Sequence, residues 1–171
     1  MSQWVILIYD IPNKPSGKRL NIWRKLKKLD AVALQDAVFI LPFSDKTLEQ
    51  MQWLAAEIKE MDGSASVFLS NSLSVSQDES LRERFLDVIR PKYTGILAAL
   101  CELEALEPYE YEKKLKHVMR DFLAVRYYDY YKCELCAEVE TQISALQRKI
   151  NDFKYGEQDK NEMDYISKRR H

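Results

Sequence analysis

Residues 31–43, AVALQDAVFILPF, decide the fold. Residues 32–34 and 38–41 are apolar, and Gln35-Asp36 parts them. This reads as two short strands folded on each other through a tight turn. One longer, bent strand is the competing reading. Pro42 ends the ladder in either case, because proline has no N–H to donate.

On the N-terminal side stands WVILIYDIP, residues 4–12, with the buried-strand run Val5-Ile6-Leu7-Ile8. Pro12, Pro15 and Gly17 punctuate a loop. Ser16 caps a helix with Ile22, Trp23, Leu26 and Leu29 on one side. Lys18, Arg24, Lys25 and Lys28 lie on the other. On the C-terminal side, Ser44 or Thr47 starts a second helix, and Thr47 with Gln50 fits a capping box. Leu48, Met51, Leu54, Ala55, Ile58 and Met61 keep helical spacing, and Gly63 is placed as the stop. Residues 65–69 form a last short strand. Residues 3–70 thus read β-α-β-β-α-β, and right-handed crossovers make this a ferredoxin-like antiparallel sheet with two helices on one face.

The remainder changes character. Residues 71–77 are polar and Ser-rich, and Ser76 with Glu79 offers a capping box. A helix begins at Leu81, Phe85 and Val88. Pro91 kinks or interrupts it, and Ile96, Leu97, Leu100 and Leu103 resume it. Pro108 suits a first helical turn. Tyr111, Leu115, Val118, Phe122 and Val125 form the next stripe. Cys136, Val139, Ile143, Leu146, Ile150 and Phe153 alternate spacings of three and four, an a/d seam. The expected fold class is α+β, with a ferredoxin-like domain over 1–72, a helical domain over 73–155 and a charged, mobile tail over 156–171.

A chain of 171 residues with 46% hydrophobic content can build one core or a core and an appendage. No apolar run approaches the ~20 residues of a membrane span, and no signal peptide is seen. Three cysteines without a regular framework point to reduced thiols in a cytosol. The net charge of −1 argues against indiscriminate nucleic-acid binding. Its distribution is uneven: seven basic and no acidic residues lie between Lys14 and Lys28, and five glutamates between Leu100 and Glu112. Such asymmetry can steer partners.

Four features carry candidate chemistry. Asp10, where strand one ends, can hold Mg²⁺ or Mn²⁺ if a dimer axis brings two copies together; its ordinary role is to cap the loop or to pair with Arg19. No other cofactor is expected. Lys18, Arg19, Arg24, Lys25 and Lys28 can meet phosphate, an oxyanion or an acidic protein, or can simply form a solvated face. Cys133 and Cys136 form a lone CxxC whose thiols can approach each other or share a soft metal; Cys136 also fits the helical seam. The run RYYDYYK, residues 126–132, suits packing or an interface. No nucleophile motif or Gly-rich phosphate loop appears, and there are only four glycines. Catalysis is therefore not expected.

WVILIYDIP, WRKLKKLDAVALQDAVFILP (residues 23–42) and WLAAEI (residues 53–58) resemble the N-terminal domain of ChrB, the chromate resistance protein. RDFL, residues 120–123, falls where that family often has a similar segment. The resemblance implies chromate-responsive control of a chromate efflux operon, with DNA, chromate and a second copy of the chain as partners. ChrB proteins are usually longer, with a second C-terminal domain, so this chain is expected to be the binding or assembly half. YDIP is similar, more distantly, to the middle domain of PaaX-type repressors and to the small CRISPR-associated nuclease of ferredoxin-like fold. The latter implies a metal-ligand role for Asp10 and an Mg/Mn-dependent nuclease as the alternative function. The PaaX winged-helix segment has no counterpart before Trp4. A dimerisation module without catalysis is the third reading.

Overall fold

A computed structural model describes residues 2–12 and 16–168, with side chains described for 2–12 and 17–156. The chain is α+β. Its elements are β1 (Gln3–Asp10), α1 (Ser16–Lys28), β2 (Val32–Gln35), β3 (Val38–Pro42), α2 (Asp45–Glu60), β4 (Ser64–Asn71), α3 (Val75–Glu104), α4 (Pro108–Tyr127) and α5 (Leu135–Lys168). The strands form one antiparallel sheet in the order β2-β3-β1-β4, the ferredoxin-like arrangement. Two compact units result, Met1–Ile89 and Arg90–His171, and the division falls inside α3.

In the first unit the strands alternate faces as a pleated sheet must. Val5, Leu7 and Tyr9 are buried on one face of β1, while Ile8 and Asp10 are exposed on the other. Ile22 and Leu26 of α1, with Met51 and Ile58 of α2, are also fully buried. Trp4, on the opposite face from Val5, stacks on Phe85 of α3 at 5.8 Å. The hairpin between β2 and β3 has a two-residue turn, Asp36-Ala37, with Ala37 at φ 61. The register slips between Ala33 and Gln35, so Leu34 is an extra residue, a bulge that bends β2 locally.

Helices α1 and α2 both end on aspartate rather than glycine. Asp30 (φ 54) and Asp62 (φ 62) take the left-handed position, and the next residue's N–H reaches back to Leu26 and Ile58 respectively. Gly63, expected to supply that conformation, does not. A Cβ there would stand 2.7 Å from the Asp10 carbonyl and 2.8 Å from Ile58 Cγ2, so glycine is needed for close approach of β1 and α2. The α2 capping box is Ser44 with Thr47, not Thr47 with Gln50: Thr47 N–H donates to Ser44 Oγ, and Ser44 N–H to Thr47 Oγ1. Thr47 Oγ1 donates onward to the Pro42 carbonyl, which is why this hydroxyl is buried.

α3 runs through Pro91 for 30 residues without a break. Its start is also two residues earlier than the Ser76–Glu79 box would put it, because Ser74 Oγ accepts from Gln77 N–H. In the second unit Val139, Ile143, Leu146 and Ile150 of α5 are buried, as the seam spacing predicts. Tyr111 and Leu115 of α4 are buried too, and the Tyr111 hydroxyl donates to the Leu146 carbonyl. The expected charged tail is part of α5 up to Lys168; its side chains and residues 169–171 lie outside the described residues.

Candidate functional site

A cavity of about 630 Å³ opens where β1 ends, between α1 and the β2–β3 hairpin. Tyr9, Arg19, Trp23, Gln35, Asp36 and Phe39 give it its character. Tyr9 and Phe39 stack at 6.1 Å with 22° between their planes and form an aromatic wall. Trp23 is 45% exposed and faces this space, although its helical position beside Ile22 suggested core. The hairpin turn holds Gln35 and Asp36 at the rim, anchored by Tyr9 N–H donating to the Ala37 carbonyl at 3.0 Å. Burial pushes the Tyr9 phenol above its ordinary range, and the nearby Arg19 guanidinium pulls it partly back. The site thus combines one exposed indole, Trp23, above a floor of buried aromatic side chains, with one cation, one carboxylate and one amide.

The basic face of α1 is not a uniform patch. Lys18 Nζ donates to the Met61 carbonyl at 3.2 Å and lies 4.0 Å from Asp62, helping to close the end of α2. Lys25 meets Glu57 of α2 at 2.6 Å, and Asn21 joins the same carboxylate. Lys27 lies over the Trp23 ring at 5.7 Å. Arg24 and Lys28 are exposed. Of the five cations picked from the sequence, two bind α2, one lines the cavity and two face solvent.

Asp10 is exposed and pairs with Ser64 across the sheet. Among the described residues no group of three or more His, Cys, Asp or Glu side chains could hold a metal ion. One carboxylate is a poor donor set for Mg²⁺ or Mn²⁺, which surround themselves with about six oxygens.

In the second unit, Cys133 precedes α5 and is buried, whereas Cys136 lies in its first turn and is half-buried. Cys136 N–H donates to the Cys133 carbonyl, so one turn carries both. Tyr93 OH donates to Asp129 Oδ2 at 2.9 Å and also bonds Cys136; Asp129 accepts from Cys133 N–H. Burial pushes the Cys133 thiol up, and the neighbouring Glu134 and Asp129 carboxylates add to the rise. That environment opposes thiolate formation. Cys101, in contrast, is exposed. In the RYYDYYK run, Tyr127 and Tyr128 meet edge to face at 4.9 Å, and Arg126 pairs with Glu140 at 2.6 Å.

Residues 19–116, which carry the cavity's Arg19 and Trp23 and the whole hairpin, match the family described as Protein ChrB, N-terminal. The chain belongs to that ChrB family. It is similar to Protein ChrB of Cupriavidus metallidurans (strain CH34), at 25% identity over 143 residues. That match covers 81% of this chain and 44% of the relative, so the chain spans less than half of the longer protein. The ChrB match takes in nearly all of the four-stranded unit except β1, and it continues through α3 into the first part of α4.

The sequence pointed to Arg19 but missed the cavity around it. Tyr9 and Phe39 read as ordinary strand residues, and Gln35-Asp36 read only as a turn. The available signal was the polar pair at the tip of an otherwise apolar hairpin.

Proposed function

We propose that this chain acts in chromate resistance as a regulatory or accessory protein in chromate-responsive control of a chromate efflux operon. It works by binding and not by catalysis, in the cytoplasm and as a homodimer. ChrB family membership over residues 19–116 carries this reading. The exposed cations Arg24 and Lys28 support an acidic partner such as DNA, since backbone phosphates need basic side chains and no particular sequence.

The test is binding of the purified chain to promoter DNA of a chromate transporter operon, read by fluorescence anisotropy at two salt concentrations, with and without chromate. The expected result is a complex that chromate releases, salt weakens and Arg24→Gln with Lys28→Gln weakens further. A chain that neither binds that DNA nor alters the reporter's chromate response in cells ends the regulatory reading.

A further inference from the structure

We propose that the free edge of β4 docks a second copy of this chain, whose own β4 lies antiparallel to the first, so that two four-stranded sheets become one of eight strands. The inference rests on the homodimer proposed above and gives that dimer its interface. The strand order leaves β2 and β4 at the edges of the sheet. β2 is blunted: it has four residues, carries the bulge at Leu34, and its Ala33 carbonyl accepts from Arg84 of α3. Short length, a bulge and a covering side chain are common ways to keep an edge from pairing. β4 has none of them. It runs for eight residues, SASVFLSN, pairs with β1 in unbroken register, and contains no charge and no proline. With one open edge per copy, the assembly closes at two chains.

Backbone and side chains both fit a two-fold pairing. The Gln3 carbonyl and the Tyr9 N–H turn toward β3 and its hairpin, so the even-numbered residues of β1 bond β4. Their partners include Ser66 and Phe68, which leaves the N–H and C=O groups of Ala65, Val67 and Leu69 directed to the free edge. Setting Phe68 opposite its own copy places Val67 opposite Leu69 and Ser66 opposite Ser70. Apolar then meets apolar, hydroxyl meets hydroxyl, and no like charges face each other. A shift that sets Val67 opposite its own copy puts Phe68 against Ser66 instead. The exposures agree: Phe68 is 51% and Leu69 47% exposed. A groove of about 460 Å³ lies between α2 and this edge, lined in part by Ala55, Ala56, Ala65 and Val67. Leu69 of the second copy, opposite Val67, enters that groove, and the two-fold axis repeats the contact. This self-matching order of residues selects a second copy over a strand from another protein.

The test is sedimentation velocity on the full chain and its Phe68 variants over a range of concentrations. The parent should dimerise. Phe68→Lys and Phe68→Glu each set like charges directly opposite one another and should weaken the dimer about tenfold or more, with an unchanged circular dichroism spectrum. Mixed in equal amounts, the two variants should pair again. In a Cys101→Ser background, Phe68→Cys should join two chains through a disulfide under mild oxidation. Opposed residues that exchange no backbone bonds lie about 4.5 Å apart at Cα, within disulfide reach. Leu123→Cys, exposed on α4, should not cross-link. A dimer that survives both charge variants and is not joined through Phe68→Cys overturns this interface and leaves the homodimer standing on another face. A parent that is monomeric at every concentration overturns the interface and the homodimer together. A monomer that binds an extended apolar peptide, and loses it on Phe68→Lys, overturns the proposal in favour of a strand from another protein.

Discussion

The Trp4 indole N–H donates to Ser72 Oγ at 2.8 Å, joining two residues 68 positions apart, and Ser72 Oγ donates in turn to Asp78 at 2.8 Å. Ser2 adds its backbone N–H and its hydroxyl to the same carboxylate. β1, the exit from β4 and the first turns of α3 are thereby joined by one polar chain, with the Trp4–Phe85 stack beside it. Burial raises the Asp78 carboxyl, but the bonds from Ser72 and Ser2 outweigh it and hold the group below its ordinary 3.8. A depressed carboxyl stabilises the fold above its unfolded pKa and loses that contribution as pH falls through the folded value. Asp78→Asn should therefore flatten the acid limb of a stability–pH curve below about pH 4, as chemical melts at several pH values would show. An acid limb identical to the parent's would refute this role.

Gly63 and Gly95 should respond to alanine in opposite directions. At Gly63 the new methyl group meets backbone and Ile58 at under 3 Å. Gly63→Ala should cost about 1–3 kcal/mol, as overpacking does. Gly95, inside α3, has nothing within 4 Å of its missing Cβ. Gly95→Ala should gain about 0.5–1 kcal/mol from helix propensity. Urea titrations of the two variants decide both.

Tyr93 is fully buried, and burial, with Cys136 and Asp129 as bonding neighbours, pushes its phenol far above the ordinary 10.0. An unfolded chain loses this proton near pH 10 while the folded chain keeps it, so stability falls as pH rises past that point. Burial raises Tyr111 in the same sense. Tyr93→Phe should lose about 1 kcal/mol at neutral pH with the hydroxyl's bonds. It should also melt with less alkaline sensitivity than the parent between pH 9 and 11. Equal alkaline slopes would remove Tyr93 from this account.

The three thiols should react with a disulfide reagent at well-separated rates. Cys101 is exposed, whereas Cys133 is buried and its thiol is raised. Reactivity follows the accessible thiolate. Mass spectrometry of the partly labelled chain should find Cys101 modified first and Cys133 last. Early labelling of Cys133 would mean that the start of α5 opens readily.

Most of the fold was legible because periodicity and proline placement agree locally. Residues 31–43 split where Gln35-Asp36 interrupts the apolar run, and β2 and β3 fall on either side of it. The α5 seam was legible from spacing alone. Other features depended on contacts between residues distant in sequence. Gly63 looks like a helix stop until Asp10 is seen beside it, 53 positions earlier. α3 survives Pro91, so proline marks a lost N–H there and not a helix end. The cavity was the least legible feature. Its walls come from four elements, β1, α1, β2 and β3, and Trp23 has a core-like helical phase yet lies 45% exposed.

Among the described residues, the left-handed backbone positions belong to Asp30, Ala37, Asp62 and Lys132, and no glycine takes a positive φ. An L-residue in that region carries a steric penalty of about 1 kcal/mol or more. These turns are consequently shaped by what surrounds them and not by the residue that makes them. Lys132 is exposed, so glycine there would remove the penalty without touching the core, whereas Asp30 is buried and Asp62 lies 4.0 Å from Lys18. Such a backbone-only change offers a way to harden the scaffold while leaving the cavity's aromatic wall and Arg19 as they are.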